Sequence, residues 1–128
     1  MLASIILAFT FAVSPAVLNL PQWMLAPIVE ATPSSKEIWI SKLAECESMG
    51  STTIKVLDTN GYFSYGKYQW QMASWLNYRI QGATKENILD EKMQDKITRY
   101  ALDQGKWEMW YNCGKIINKK LGKYGEDL

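Results

Sequence analysis

The chain has 128 residues, 48% of them hydrophobic and only 4 of them proline, which gives room for one domain around one modest core and excludes a disordered tail. Fourteen basic residues stand against 13 acidic ones, so the net charge of +1 provides no field of the kind that binds nucleic acid. Histidine is absent, which removes Ser/His and Cys/His nucleophile pairs, helical His-Glu-x-x-His zinc sites and imidazole bases together. Chemistry is left to carboxylates, Tyr, Lys or the two cysteines, with no metal or cofactor expected.

In chain order, residues 1–31 contain no Lys or Arg, and residues 2–18 are almost wholly apolar apart from Ser and Thr. This reads as an export signal ending in Val29-Glu30-Ala31, with small residues where a signal peptidase looks and cleavage before Thr32. The missing basic start leaves a second reading, an N-terminal membrane anchor, although Pro15 and Pro21 interrupt the apolar run that a firm span of about 20 residues needs. The expected organisation is therefore a leader or anchor over 1–31 and one domain over 32–128.

Ser34 and Glu37 have capping-box spacing and predict a helix start. Ile40, Leu43, Ala44 and Glu47 follow at i, i+3, i+4 and i+7, which puts Glu47 on the apolar stripe and predicts that its carboxyl is partly buried. Residues 53–57 read as a strand, Asn60-Gly61 as a two-residue hairpin turn and residues 62–65 as the returning strand. Helical character resumes over 71–79. Asp90 predicts the cap of a longer helix with Met93, Ile97, Tyr100 and Ala101 on one face, ended by Gly105. A last helix is expected over about 107–121, and a polar tail, 123–128, is expected to fray. The fold class is α+β, mostly helical, with a small β hairpin after the first helix.

The candidate chemistry lies in short motifs: Glu45-Cys46-Glu47-Ser48, Asn60-Gly61-Tyr62, Gly66-Lys67-Tyr68-Gln69, Ser74-Trp75, then Gln94 and Trp110-x-x-Cys113. In this order and at these spacings, over roughly residues 38–115, they resemble the Cys-Glu-Ser signature of resuscitation-promoting factors and the Glu-Ser signature of soluble lytic transglycosylases. The resemblance implies a lysozyme-like domain that cleaves the β-1,4 bond between N-acetylmuramic acid and N-acetylglucosamine in peptidoglycan. It implies Glu47 as general acid, Gln69 as a substrate-binding cleft residue, and Tyr62, Trp70 and Trp75 as candidate sugar contacts. In those transglycosylases the substrate's acetamido group is thought to stabilise the cation, after which the same Glu helps the 6-hydroxyl close a 1,6-anhydro ring.

The residues themselves agree with the first assignment, because a carboxyl on an apolar stripe keeps its proton nearer neutral pH. Hydrolysis stays open through Asp58 as a second carboxylate, as does a wall-binding module without turnover. Asp58 beside Thr59-Asn60-Gly61 also reads as an ordinary turn former. Tyr62 and Tyr65 are expected to line the cleft because a hairpin leaves them partly exposed, whereas the tryptophans recur at the helical spacing of core residues. The expected partner is the peptidoglycan glycan strand, met by a monomer that is secreted, periplasmic or wall-associated and free of the membrane once its leader is removed. It is membrane-anchored if the leader stays.

Cys46 and Cys113 are the only cysteines, too few for a metal site, and an exported chain meets oxidising surroundings. A disulfide between them closes a loop of about 66 residues, worth roughly 4 kcal/mol by chain entropy. Two buried free thiols are the competing reading.

Overall fold

The computed structural model describes residues 21–24 and 32–126. Apart from a short 3-10 turn at Gln22–Met24, the expected leader lies outside the described residues. Among the described residues no helix is long and apolar enough to cross a membrane.

Helix α1, Ser35–Ser48, starts where Ser34 accepts a hydrogen bond from the Glu37 backbone N–H at 3.2 Å. Only half of the capping box forms: the Glu37 carboxylate turns away to pair with the two terminal guanidinium nitrogens of Arg99, the Nη2 contact being 2.9 Å. A charge-assisted fork outcompetes a single backbone donor. Met49, with φ 56°, ends α1 in the left-handed region and donates back to Ala44 and Glu45. The buried face is Trp39, Ile40, Leu43, Ala44 and Ser48.

The next segment is a three-stranded antiparallel sheet in the order β1 (Lys55–Leu57), β2 (Phe63–Tyr65), β3 (Trp70–Gln71), with Leu57 opposite Phe63 and Tyr65 opposite Trp70. The expected two-residue turn is not the one formed. It requires positive φ at both central residues, and here only Gly61, at φ 83°, has it. The connection is instead a turn closed by Gly61 N–H to Asp58 O (3.0 Å) and Asp58 N–H to Tyr62 O (2.9 Å), with the Asn60 side chain accepting from the Tyr62 N–H. The third strand takes Gln71 from the helix expected over 71–79. That helix shortens to α2, Met72–Leu76, followed by a 3-10 turn at Arg79–Gln81.

Helix α3, Glu91–Asp103, is capped by Asp90, whose carboxylate accepts from the Met93 N–H at 2.8 Å. Its inward face is rotated from the expected one: Gln94, Ile97, Thr98, Ala101 and Leu102 are buried, while Tyr100 is 40% exposed. Two polar residues sit inward because each has a partner there, Thr98 accepting from Trp70 Nε1 at 2.9 Å and Gln94 holding the loop described below. After Gly105, a 3-10 turn at Trp107–Trp110 leads into helix α4, Tyr111–Leu121, so the first turn of the expected last helix is more tightly wound. The residues expected to fray are docked as far as 126. Tyr124 packs edge-on against Trp39 at 5.6 Å, and the Lys123 N–H donates to Glu126.

The core joins α1, α3 and α4 around an aromatic cluster. Trp70 makes edge-to-face contacts with Trp75 (5.4 Å), Tyr78 (5.4 Å) and Trp110 (5.1 Å), the arrangement ring quadrupoles favour. Each buried indole N–H finds an acceptor: Trp39 on Asn118, Trp70 on Thr98, Trp75 on the Thr84 carbonyl and Trp110 on the Tyr68 carbonyl. A disulfide joins Cys46 of α1 to Cys113 of α4 across a Cα separation of 5.9 Å, so the free-thiol alternative does not hold.

Candidate active site

A cleft of about 430 Å³ opens where the end of α1, the inner face of the sheet and the start of α4 meet. Glu47, in the last turn of α1, lines it half-buried. Burial first, and the nearby Asp58 carboxylate second, push its carboxyl up to about 7. It sits also at the negative end of a 14-residue helix, which disfavours an anion. Among the described residues no side chain or backbone group hydrogen-bonds the Glu47 carboxyl, so nothing there rewards its ionisation. The arrangement holds a proton near neutrality and leaves it facing the cleft.

Asp58 lines the same cleft in a contrasting setting. Its Oδ2 accepts from Ser64 Oγ and from Gln71 Nε2 (2.9 Å), and Gln71 is held in turn by Asn60 Nδ2 at 3.1 Å. Ser64 lies between Phe63 and Tyr65, so strand alternation turns it to the inner face while its aromatic neighbours point out.

Four carbonyls of the loop from Tyr65 to Gln69 are engaged, three of them by side chains outside the loop. Gln94 Nε2 donates to Tyr65 O (2.9 Å), Gln69 to Gly66 O, Ser48 Oγ to Lys67 O (2.7 Å) and Trp110 Nε1 to Tyr68 O (2.8 Å). Gln94 Nε2 also reaches Ile88 O, and its Oε1 accepts from the Tyr68 N–H at 3.0 Å. Satisfying buried backbone groups in this way makes the loop rigid. Gly66 has φ +73°, and a Cβ there would lie 2.9 Å from Gln94 Cδ, so only glycine fits. Ser48, the residue after Glu47, thereby ties the end of α1 to this loop. Gln69 lines the cleft with φ 54°, a strained value for a non-glycine residue, and its Nε2 is engaged with Gly66 O at 2.9 Å.

The structure thus brings Glu47, Asp58 and Gln69 together, with Trp70 beneath them, buried and presenting little surface. The other three aromatics lie elsewhere. Trp75 is 0% exposed within the core with its N–H on the Thr84 carbonyl, so it is a packing residue and not a sugar contact. Tyr62, at the hairpin tip and 68% exposed, does not line the cleft. Tyr65 points to the outer face of the sheet, with Lys55 Nζ 5.4 Å from its ring, so it too stands outside the cleft. Sequence reasoning missed Ser64, Gln71, Met109, Tyr111 and Asn112, which do line it. The alternation around Ser64 was a readable signal; nothing local marks Tyr111 and Asn112, which come to the cleft through the packing of α4 on α1.

Cys46 immediately precedes Glu47, and Cys113 lines the cleft, so the disulfide anchors the last turn of α1 to α4. Among the described residues no group of three Cys, Asp or Glu side chains is placed to hold a metal ion. No protein-family model, curated protein or solved structure matches the chain.

Proposed function

We propose that this chain is a lysozyme-like enzyme that cleaves the β-1,4 bond between N-acetylmuramic acid and N-acetylglucosamine in peptidoglycan, by lytic transglycosylation, with Glu47 as the single general acid and base. The observation that carries the proposal is the setting of Glu47: a half-buried carboxyl, up to about 7, facing an open polar cleft without an internal partner. Glycosidic cleavage needs a proton delivered to the leaving oxygen, and a carboxylic acid still protonated near neutral pH supplies it. The resulting carboxylate then takes the proton of the 6-hydroxyl as the anhydro ring closes. Gln69, Gln71 and Asn112 bring amide groups to the cleft that suit acetamido and hydroxyl substituents.

Hydrolysis is the second reading, favoured by the presence of Asp58 on the same cleft, oriented by Ser64 and Gln71. Digestion of purified peptidoglycan with the chain from Thr32 onward, followed by mass analysis, separates the two. Transglycosylation gives anhydro-muropeptides, lighter by one water than the hydrolytic products. Release of no soluble muropeptides at all would leave only the non-catalytic wall-binding module.

A further inference from the structure

Helix α4, Tyr111–Leu121, carries Lys115, Lys119 and Lys120 and no carboxylate. Its rotation is fixed from the inner side, where Cys113 is bonded to Cys46, Ile117 enters the core and Asn118 accepts from Trp39 Nε1 at 3.1 Å. At about 100° per residue, Asn112, Lys115, Ile116, Lys119 and Lys120 then share the outer arc, and all five are exposed. Among the described residues none of these three ammonium groups is ion-paired, a state they share with Arg79 and with Lys55, Lys85, Lys92, Lys96, Lys106 and Lys123; what sets them apart is that they lie together on one face of a helix without carboxylates. Compensation of the helix dipole accounts for cations in the last turn, but Lys115 lies a turn earlier.

The arc begins at the cleft. Tyr111 and Asn112 line the cleft itself, and Lys115 Nζ stands 5.0 Å from the centre of the Tyr111 ring, whose other neighbour is the stacked Trp107 at 6.2 Å. From Asn112 to Lys119 the helix advances roughly 10 Å, so the unpaired cations form a track leading away from the bond-breaking position. We infer that this face of α4 docks the carboxylates of the peptide stems on a glycan strand whose scissile bond lies at Glu47. The inference rests on the function proposed above and names the part of the substrate that the cleft alone does not reach.

The test is binding of the Glu47→Gln protein, which reports affinity without turnover, to sacculi that carry their stems and to the stem-free glycan strands that an amidase releases, on which each muramic acid keeps only its lactyl carboxylate. Lys115→Gln, Lys119→Gln and Lys120→Gln together are expected to weaken binding to stem-bearing sacculi on the order of tenfold at low salt, with little change on the stem-free strands. The three corresponding Arg substitutions are expected to retain binding, and thermal melting checks that each variant folds. Equal binding of the Gln variant and its parent to stem-bearing sacculi overturns the inference, as does an equal loss on both substrates. Loss on anionic phospholipid vesicles alone, with sacculus binding intact, assigns the face to a membrane and also overturns it. Because the protein used is catalytically silenced, failure of the glycosidase reading shows separately, as absence of cleavage by the unsubstituted chain.

Discussion

Glu47 is held where water is scarce, a helix ends and another carboxylate stands nearby, and each of these favours its protonated form. Its carboxyl, at about 7 when folded against the ordinary 4.5, binds its proton more tightly in the folded chain than in the unfolded one. Its contribution to stability is therefore full below about 4.5 and is lost as pH rises through about 7. Glu47→Gln removes the ionisation, so the variant should be more stable than the parent at pH 8 by about 1–2 kcal/mol, allowing for partial exposure, and nearly equal to it at pH 4. Denaturant titrations at the two pH values check this. Activity should fall as pH rises through the same interval. Asp58→Asn removes the second contribution, so the falling limb of the activity profile should move to lower pH with turnover retained; abolition of turnover would favour Asp58 as nucleophile or base. Much of Glu47's setting was legible, because its place on the apolar stripe follows from residue spacing alone. The donors on Asp58 were not, since they depend on residues brought together by the sheet, whereas the burial of Trp75 agrees with the helical spacing that marks the tryptophans as core residues.

At the scale of elements, the end of α1 and the loop around Gln69 form one device. Ser48 holds the loop from one side and Gln94 from the other, and Gly66 leaves the space that Gln94 fills. Gly66→Ala forces a side chain into the left-handed region and against Gln94, with an expected cost of about 2–4 kcal/mol. Chemical denaturation measures the cost, and a neutral result would mean that the loop is not clamped. The hairpin was legible in Asn60-Gly61, but its register was not: the turn closes through Asp58 and Tyr62, which sets Ser64 inward. The third strand was hidden because two residues are too few to display alternation, and the pairing of Trp70 with Tyr65 is made by the Gly66–Gln69 turn. The face of α3 was misjudged for a related reason. Gln94 and Thr98 are polar by type, and only their partners, on a loop and an indole more than 25 residues away in sequence, make them interior residues.

For the molecule as a whole, the Cys46–Cys113 bond closes a loop spanning 67 positions, and that loop contains the sheet, α2 and α3. By chain entropy the bond is worth roughly 4 kcal/mol, a large share of the 5–15 kcal/mol typical of a whole domain. Replacing both cysteines with serine should lower Tm by roughly 15–30 °C, and a scanning calorimeter decides it. A change of a degree or two would mean that the helical core holds α1 and α4 together unaided. The mostly helical α+β character was readable from the periodicities, and the docking of Tyr124 on Trp39 extends the domain to residues whose polarity suggested a loose tail.

The most direct test of the account is release of soluble muropeptides from purified peptidoglycan near pH 6, comparing the chain from Thr32 onward with its Glu47→Gln variant. The account predicts release by the former, and from the variant a loss of at least about a hundredfold with its melting and glycan binding intact. Equal release by both proteins would contradict it.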